Sequence, residues 1–333
     1  MMFPGINKWA VSILLLFVFI GCNTHDGNND QLLTKNPYKG LTDSIHRFPQ
    51  MADLFLQRGL LLSQNNQHEL ANADYKKASE LSPSASTILP YVSNLLMLNR
   101  VKQAVTLLNE SITKYPNDPE FRRRISDIYI QTGAFEKALE EYNRMLEVDS
   151  LDFETWHNKG AVLIELKDTL EGIKAFEQSF RLQPIQYTGL KLADIYASMK
   201  NPRALQICDE MLARDSGGVA TDALFAKGMY YSETNQYDKA LEAFNACVSR
   251  DWTMVDAHIE KGIILFSQKK YDEALKIFTT AASVANTNAD AYFWMGRCFE
   301  VNGKKEDAIL NYNRALSLDP MFDEARTRRK KLE

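Results

Sequence analysis

With four cysteines and five histidines in 333 residues, the chain has little from which a metal centre could be assembled. Cys22, Cys208, Cys247 and Cys298 form no CxxC pair and have no suitably spaced His, so a structural zinc site is not supported. His25, His46, His68, His157 and His258 supply neither an i, i+4 pair nor HExxH, which removes the metallohydrolase pattern. GxSxG, GxGxxG and GxxxxGK are missing as well, so neither catalysis nor a cofactor is expected. Charge of one sign is lacking too. The 39 basic and 43 acidic residues leave a net charge of -4 spread along the chain, which argues against nucleic acid as a partner. The one basic cluster, Arg326, Arg328, Arg329, Lys330 and Lys331, falls where cations complement a helix C-terminus. Glycine and proline are sparse, and a composition 45% hydrophobic and 25% charged is that of a folded, helix-rich protein.

The N-terminus sets an expectation for the compartment. Lys8 is followed by an apolar run from Trp9 through Ile20, in which Ser12 is the one hydroxyl. A spanning helix needs about 20 apolar residues, so this shorter run reads as the hydrophobic region of a cleaved signal over residues 1–21. Its end, Phe19-Ile20-Gly21-Cys22, resembles the bacterial lipobox, with Phe19 in place of the usual aliphatic residue. That resemblance implies acylation (palmitate) at Cys22, and each buried methylene adds roughly 0.8 kcal/mol of anchoring. A tether over 22–39 should follow, polar and flexible across residues 23–31. Asn23 stands where many Gram-negative lipoproteins retained in the inner membrane carry Asp. The implied place is the outer membrane, on its periplasmic or surface face. With Cys22 set aside, the three remaining cysteines cannot all pair, and their helical contexts mark them as small core residues.

Self-similarity dominates the remainder. Residues 289–322 carry Tyr292, Gly296, Phe299, Ala308, Tyr312, Ala315 and Pro320. Stepping back by 34 finds Gly262, Ala274, Phe278 and Ala281, and a second step finds Gly228, Ala240, Phe244 and Cys247. Farther upstream stand Trp156, Gly160, Gly172 and Phe176, then Tyr129, Gly133, Ala138 and Tyr142, and first Phe55, Gly59, Ala71, Tyr75 and Ala78. This spacing of small and large residues resembles the tetratricopeptide repeat (TPR). The implied fold is all-α, a right-handed superhelical solenoid of about eight helix-turn-helix repeats. Their bounds are 52–84, 85–118, 119–152, 153–185, 186–220, 221–254, 255–288 and 289–322, after an incomplete leading repeat at 40–51 and before a capping helix at 323–333. Two repeats are weaker. Pro90 is expected to delay the first helix of the 85–118 repeat, and the 186–220 repeat is one residue short between Tyr196 and Ala204.

The pattern has a physical reading of its own. Helices of roughly 13 residues are too short to persist alone in water, so each must pack on its partner and on the next pair. Gly or Ala at the crossings lets two backbones approach, and aromatic or aliphatic side chains fill the surrounding space.

Positions that packing leaves open are candidates for binding. In the family, these lie on the first helix of each pair and line the inner face of the superhelix. Here they supply Phe225, Met229, Ile259, Ile263, Phe266, Phe293, Trp294 and Arg297, bordered by Asp222, Asp256 and Asp290. An apolar strip rimmed by carboxylates suits a partner segment with apolar anchors and some positive charge. Arg123, Arg124, Asn158 and Lys191 bear a fainter likeness to a carboxylate clamp, which fails at Asp127 and Tyr187. The expectation is a membrane-anchored adaptor whose partners are other envelope proteins. The alternative, a glycan- or peptidoglycan-binding subunit, requires exposed aromatics flanked by amides.

Overall fold

The computed structural model describes residues 31–333 apart from 216, 218 and 219. The expected signal at 1–21 and the expected lipidation at Cys22 lie outside the described residues. The chain divides into two compact units, one ending at Ile125 and one from Ser126 to Glu333. The described residues hold helices and turns and no strand.

In the first unit a short helix, α1 (Lys39–Arg47), precedes α2 (Ala52–Gln64), α3 (His68–Leu81), α4 (Ala85–Met97) and α5 (Val101–Lys114). The helix α6 (Pro119–Gln131) contains the boundary between the units. The second unit continues with α7 (Phe135–Val148), α8 (Phe153–Glu165), α9 (Thr169–Leu182), α10 (Gln186–Ser198), α11 (Arg203–Arg214) and α12 (Thr221–Glu233). It closes with α13 (Tyr237–Arg250), α14 (Val255–Ser267), α15 (Tyr271–Val284), α16 (Ala289–Val301), α17 (Lys305–Leu318) and α18 (Asp323–Leu332). From α7 through α18 each helix packs on its neighbour in the chain, and α10 also meets α12, as α14 meets α16. Two faces result, one of first helices and one of second helices.

The glycines explain how the pairs close. A Cβ at Gly228 would stand 2.5 Å from the Phe244 ring, one at Gly296 2.7 Å from Tyr312, and one at Gly160 2.9 Å from Phe176. Real side chains do not tolerate such distances, so the missing side chain is what lets the aromatic ring sixteen residues later lie flat against the first helix. Gly189 makes an equally close approach, to Met211 and Phe180, at a position outside the repeat pattern.

Each turn within a pair contains one residue with positive φ: Asn66, Asn99, Gly133, Lys167, Lys200, Asn235, Lys269 and Gly303. The amide after each reaches five residues back, as in Gln67 N–H to the Leu62 carbonyl at 2.8 Å and Lys270 N–H to Leu265 at 2.9 Å. This closes the first helix in a Schellman turn. Two of these sites are glycine, whereas three lysines hold a conformation that costs an L-residue about 1 kcal/mol.

Two expectations need correction. The tether does not extend to residue 39: Leu32, Leu33 and Tyr38 pack on Leu62, Ala71 and Tyr75, and Tyr38 is only 4% exposed. A buried polar network secures this leading segment. Arg58 donates to both oxygens of Asp74 at 2.7 and 2.8 Å and to Thr42 Oγ1 at 3.0 Å, while Thr42 donates to the Leu33 carbonyl. Pro90 does not delay α4, which begins at Ala85 with Pro90 inside it. Thr87 anchors the first turn before the proline is reached, accepting from Ser84 N–H at 3.2 Å and donating to the Ser82 carbonyl.

The cysteines are core residues. Cys208, Cys247 and Cys298 are free and buried, and burial raises their thiols to about 12, 11 and 12. None is an activated nucleophile.

Candidate functional site

The residues expected to form one continuous strip separate into two groups. Phe225 and Met229 line a real cavity of about 390 Å³ between α10 and α12, with Asp222 on its edge. Most of the others are spent on packing. Ile259 and Phe293 are buried, and Phe293 lies 4.8 Å from Phe322 and 5.9 Å from Tyr312, ring centre to ring centre. Trp294 stacks on Phe278 at 5.7 Å and meets Phe266 edge-on at 5.3 Å. Ile263 and Phe266 are packed into the same cluster.

Arg297 is likewise engaged. Its guanidinium lies 5.2 Å from the Phe266 ring centre and 5.6 Å from that of Trp294. Its Nη1 donates to Glu324 of α18 at 3.3 Å. Glu300 sits within the same network, accepting from Tyr312 Oη at 2.5 Å and from Arg328 at 3.2 Å. Burial and the neighbouring Glu300 carboxylate push the Tyr312 hydroxyl far up. These bonds dock α18 on the last pair, and its own Ala325 is buried against Phe293, Tyr312 and Ala315. Arg297 is therefore a structural tie, and the strip ends where this tie begins.

The cavity exists because α10 presents small side chains. Ala193 and Ala197 face Phe225, Ala226 and Met229, and Leu190 completes the apolar floor. Asp194, Asp222 and Glu233 stand around it. Asp222 accepts from Gln186 Nε2 at 2.8 Å. The α10 residues were missed in the sequence because their repeat is one of the two weaker ones. Their signal was available, since they lie on the same face one repeat upstream.

Carboxylates continue along this face. Burial raises the pKa of the half-buried Glu260, and the charges of Asp256 and Glu233 raise it further. Asp290 is raised by burial, then by Asp256 and Asp319. Mutual repulsion in a partly desolvated setting is relieved when a cation arrives, so the face is electrostatically prepared for positive charge. Of the faint clamp, Arg124 is engaged elsewhere and Lys191 lies beside a half-buried imidazole. Arg124 donates to Ser93 Oγ at 3.1 Å, and His157, held below its usual range by burial and by Lys191, meets Tyr187 edge-on at 4.5 Å.

A second cavity on first helices lies in the first unit, about 420 Å³ between α2 and α4. Leu60, Leu89, Pro90 and Met97 line it, and Leu60 and Met97 are exposed. Among the described residues no group of three metal-ligating side chains occurs, and no helix is long and apolar enough to cross a membrane.

Models of the tetratricopeptide repeat match residues 52–84, 95–161, 153–186, 225–288 and 265–328, well over half of the chain. The chain belongs to the tetratricopeptide repeat family. As a TPR protein it has the fold of a protein–protein interaction scaffold, a class that binds partner proteins and is generally non-catalytic. It is similar to the TPR repeat-containing protein YpiA of Bacillus subtilis, 22% identical over 187 residues, covering 56% of this chain and 44% of that one. It is also similar to the formate-dependent nitrite reductase complex bifunctional subunit NrfFG of Haemophilus influenzae, 28% identical over 117 residues, covering 33% of this chain and 30% of that one. The chain thus spans less than half the length of either relative. Among solved structures, the C-terminal part of a TPR repeat-containing protein from Cytophaga hutchinsonii superposes with a TM-score of 0.54 at 15% identity, covering 71% of this chain and 96% of that one. That likeness concerns the fold alone.

Proposed function

We propose that this TPR protein is an adaptor held at the bacterial outer membrane by a lipid on Cys22, and that it gathers envelope partners by binding a basic, apolar segment between α10 and α12. The observation that carries the binding reading is the cavity floored by Leu190, Phe225 and Met229 and edged by Asp194, Asp222 and Glu233. Apolar side chains of the partner fill the hollow, and its Lys or Arg residues face the carboxylates. The lipobox-like end of the apolar N-terminal run supports the anchor. The glycan alternative has less support, because Phe293 is buried and Trp294 is stacked within the fold.

Fluorescence anisotropy of the full chain with a labelled peptide of alternating Lys and Leu tests the groove. The double change Phe225→Ala with Met229→Ala is expected to weaken binding at least tenfold, about 1.4 kcal/mol. Equal binding of a Glu-for-Lys peptide, or indifference to the double change, overturns the groove reading. For the anchor, palmitate labelling and membrane fractionation should both be lost in Cys22→Ser. Labelling that persists in Cys22→Ser would reject lipidation there, and retention of the unlabelled variant at the membrane would reject the lipid as the anchor.

A further inference from the structure

The second-helix face of the second unit has a cavity of its own, about 460 Å³ between α9 and α11 and outside the groove proposed above. Four cations stand on its wall, Lys174, Arg181, Arg203 and Arg214, against two carboxylates, Glu177 and Glu210. Both carboxylates are already engaged. Glu177 Oε1 accepts from Arg203 Nε at 3.3 Å and from Tyr196 Oη at 3.0 Å, an arrangement that, with burial, raises the Tyr196 hydroxyl to about 12. Glu210 Oε1 accepts from Arg203 Nη1 at 3.1 Å, and its other oxygen lies 3.8 Å from Arg214. Lys174 reaches outside the wall to Glu171 at 2.5 Å.

The cations keep donors to spare. Arg181 bonds neutral Gln178 Oε1 at 2.5 Å, and the Arg214 guanidinium lies over the Phe180 ring, 6.0 Å from its centre. Arg203 is fixed by its two carboxylates, so its guanidinium is oriented in advance. A guanidinium carries five N–H donors, and three of them around one hollow outnumber what Glu177 and Glu210 accept. A tetrahedral phosphate, with three accepting oxygens and up to two charges, uses such a set more completely than a carboxylate does. The hollow is also larger than a bare ion requires, leaving room for the group that bears the phosphate.

We infer that the cavity between α9 and α11 binds a phosphate ester, held by Arg181 and Arg214 with Arg203 and Lys174 as flanking charge. The ester could belong to a soluble metabolite or to a phospholipid headgroup, and the test separates these sources. The full chain is titrated calorimetrically, at constant ionic strength, with glycerol 3-phosphate and with dihexanoylphosphatidic acid, a lipid phosphomonoester, below its micelle concentration. Both should bind, and Arg181→Gln with Arg214→Gln should weaken each at least tenfold with the melting temperature unchanged. Lys174→Gln, distant from the Arg214 ion pair, serves where the double variant melts early, and a smaller loss of a few-fold is expected. Tighter binding of the lipid assigns the source to the membrane, and equal binding assigns it to a soluble ester. The inference falls if Lys330→Gln with Lys331→Gln causes the same loss, if chloride displaces the ligand as well as phosphate does, or if a hexaglutamate peptide binds more tightly through the same arginines.

Discussion

Two junctions between first helices, built on one repeat plan, differ in what they leave open. Where α10 meets α12, Ala193 and Ala197 oppose Phe225 and Met229, and a cavity of about 390 Å³ remains. Where α14 meets α16, Phe266 and Trp294 fill the corresponding space and Arg297 covers them. The backbone sets the junction in both cases. Side-chain volume at a few positions decides whether it becomes a site or a core. The filled junction adjoins α18, which requires a firm surface to dock on, whereas the hollow one has further pairs on either side.

The strongest way to break the comparison is to empty the filled junction. Trp294→Ala should remove its stack on Phe278 and destabilise the protein by about 3 kcal/mol, read by chemical denaturation. Overpacking comes next: Gly262→Ala places a methyl against the Phe278 ring and should cost about 2 kcal/mol. Filling the hollow junction instead should change function with little effect on stability. Ala226→Leu is expected to reduce peptide affinity at least tenfold while unfolding free energy moves by less than about 1 kcal/mol.

A change of pH sharpens the electrostatic side of the same contrast. Glu260 and Asp290 have pKa values raised in the folded chain, so on acidification they take up protons before ordinary carboxylates do. Affinity for the Lys-rich peptide should therefore fall a few-fold as pH drops from neutral into the carboxylate range, and Glu260→Gln should flatten the profile. The linkage has a definite sign. A carboxyl with a raised folded pKa favours the native state when protonated and loses that contribution as pH rises through the folded value, so Glu260→Gln should gain stability at pH 7. Smallest of all is the turn that precedes α15. Lys269→Gly relieves a positive-φ residue and should add roughly 0.5–1 kcal/mol.

Much of this was legible before any coordinates. Glycine and an aromatic sixteen residues apart, as at Gly228 and Phe244 or Gly296 and Tyr312, are a local statement about two helices that must touch. The strip of Phe225 through Trp294 was legible only in part, because a face assigned by helical period does not reveal whether the next helix fills it. Phe293 lies on the expected helix and is nevertheless buried by Phe322 and Tyr312, residues far along the chain. The Arg58–Asp74 pair and the network of Arg297, Glu300 and Arg328 were illegible for a similar reason. Charged residues on helices are normally solvated, and only their neighbours in space make these exceptions.

The sequence by itself determined that this chain folds as paired short helices, where the pairs touch, and that no familiar catalytic or metal-binding motif accompanies them, since those properties follow from residue type and spacing along one helix or one pair. The tertiary structure decided which junctions are hollow, which charges face one another, and that residues 31–38 belong to the fold. Those outcomes depend on the volume and charge of side chains brought together from different helices, and no single segment contains that information.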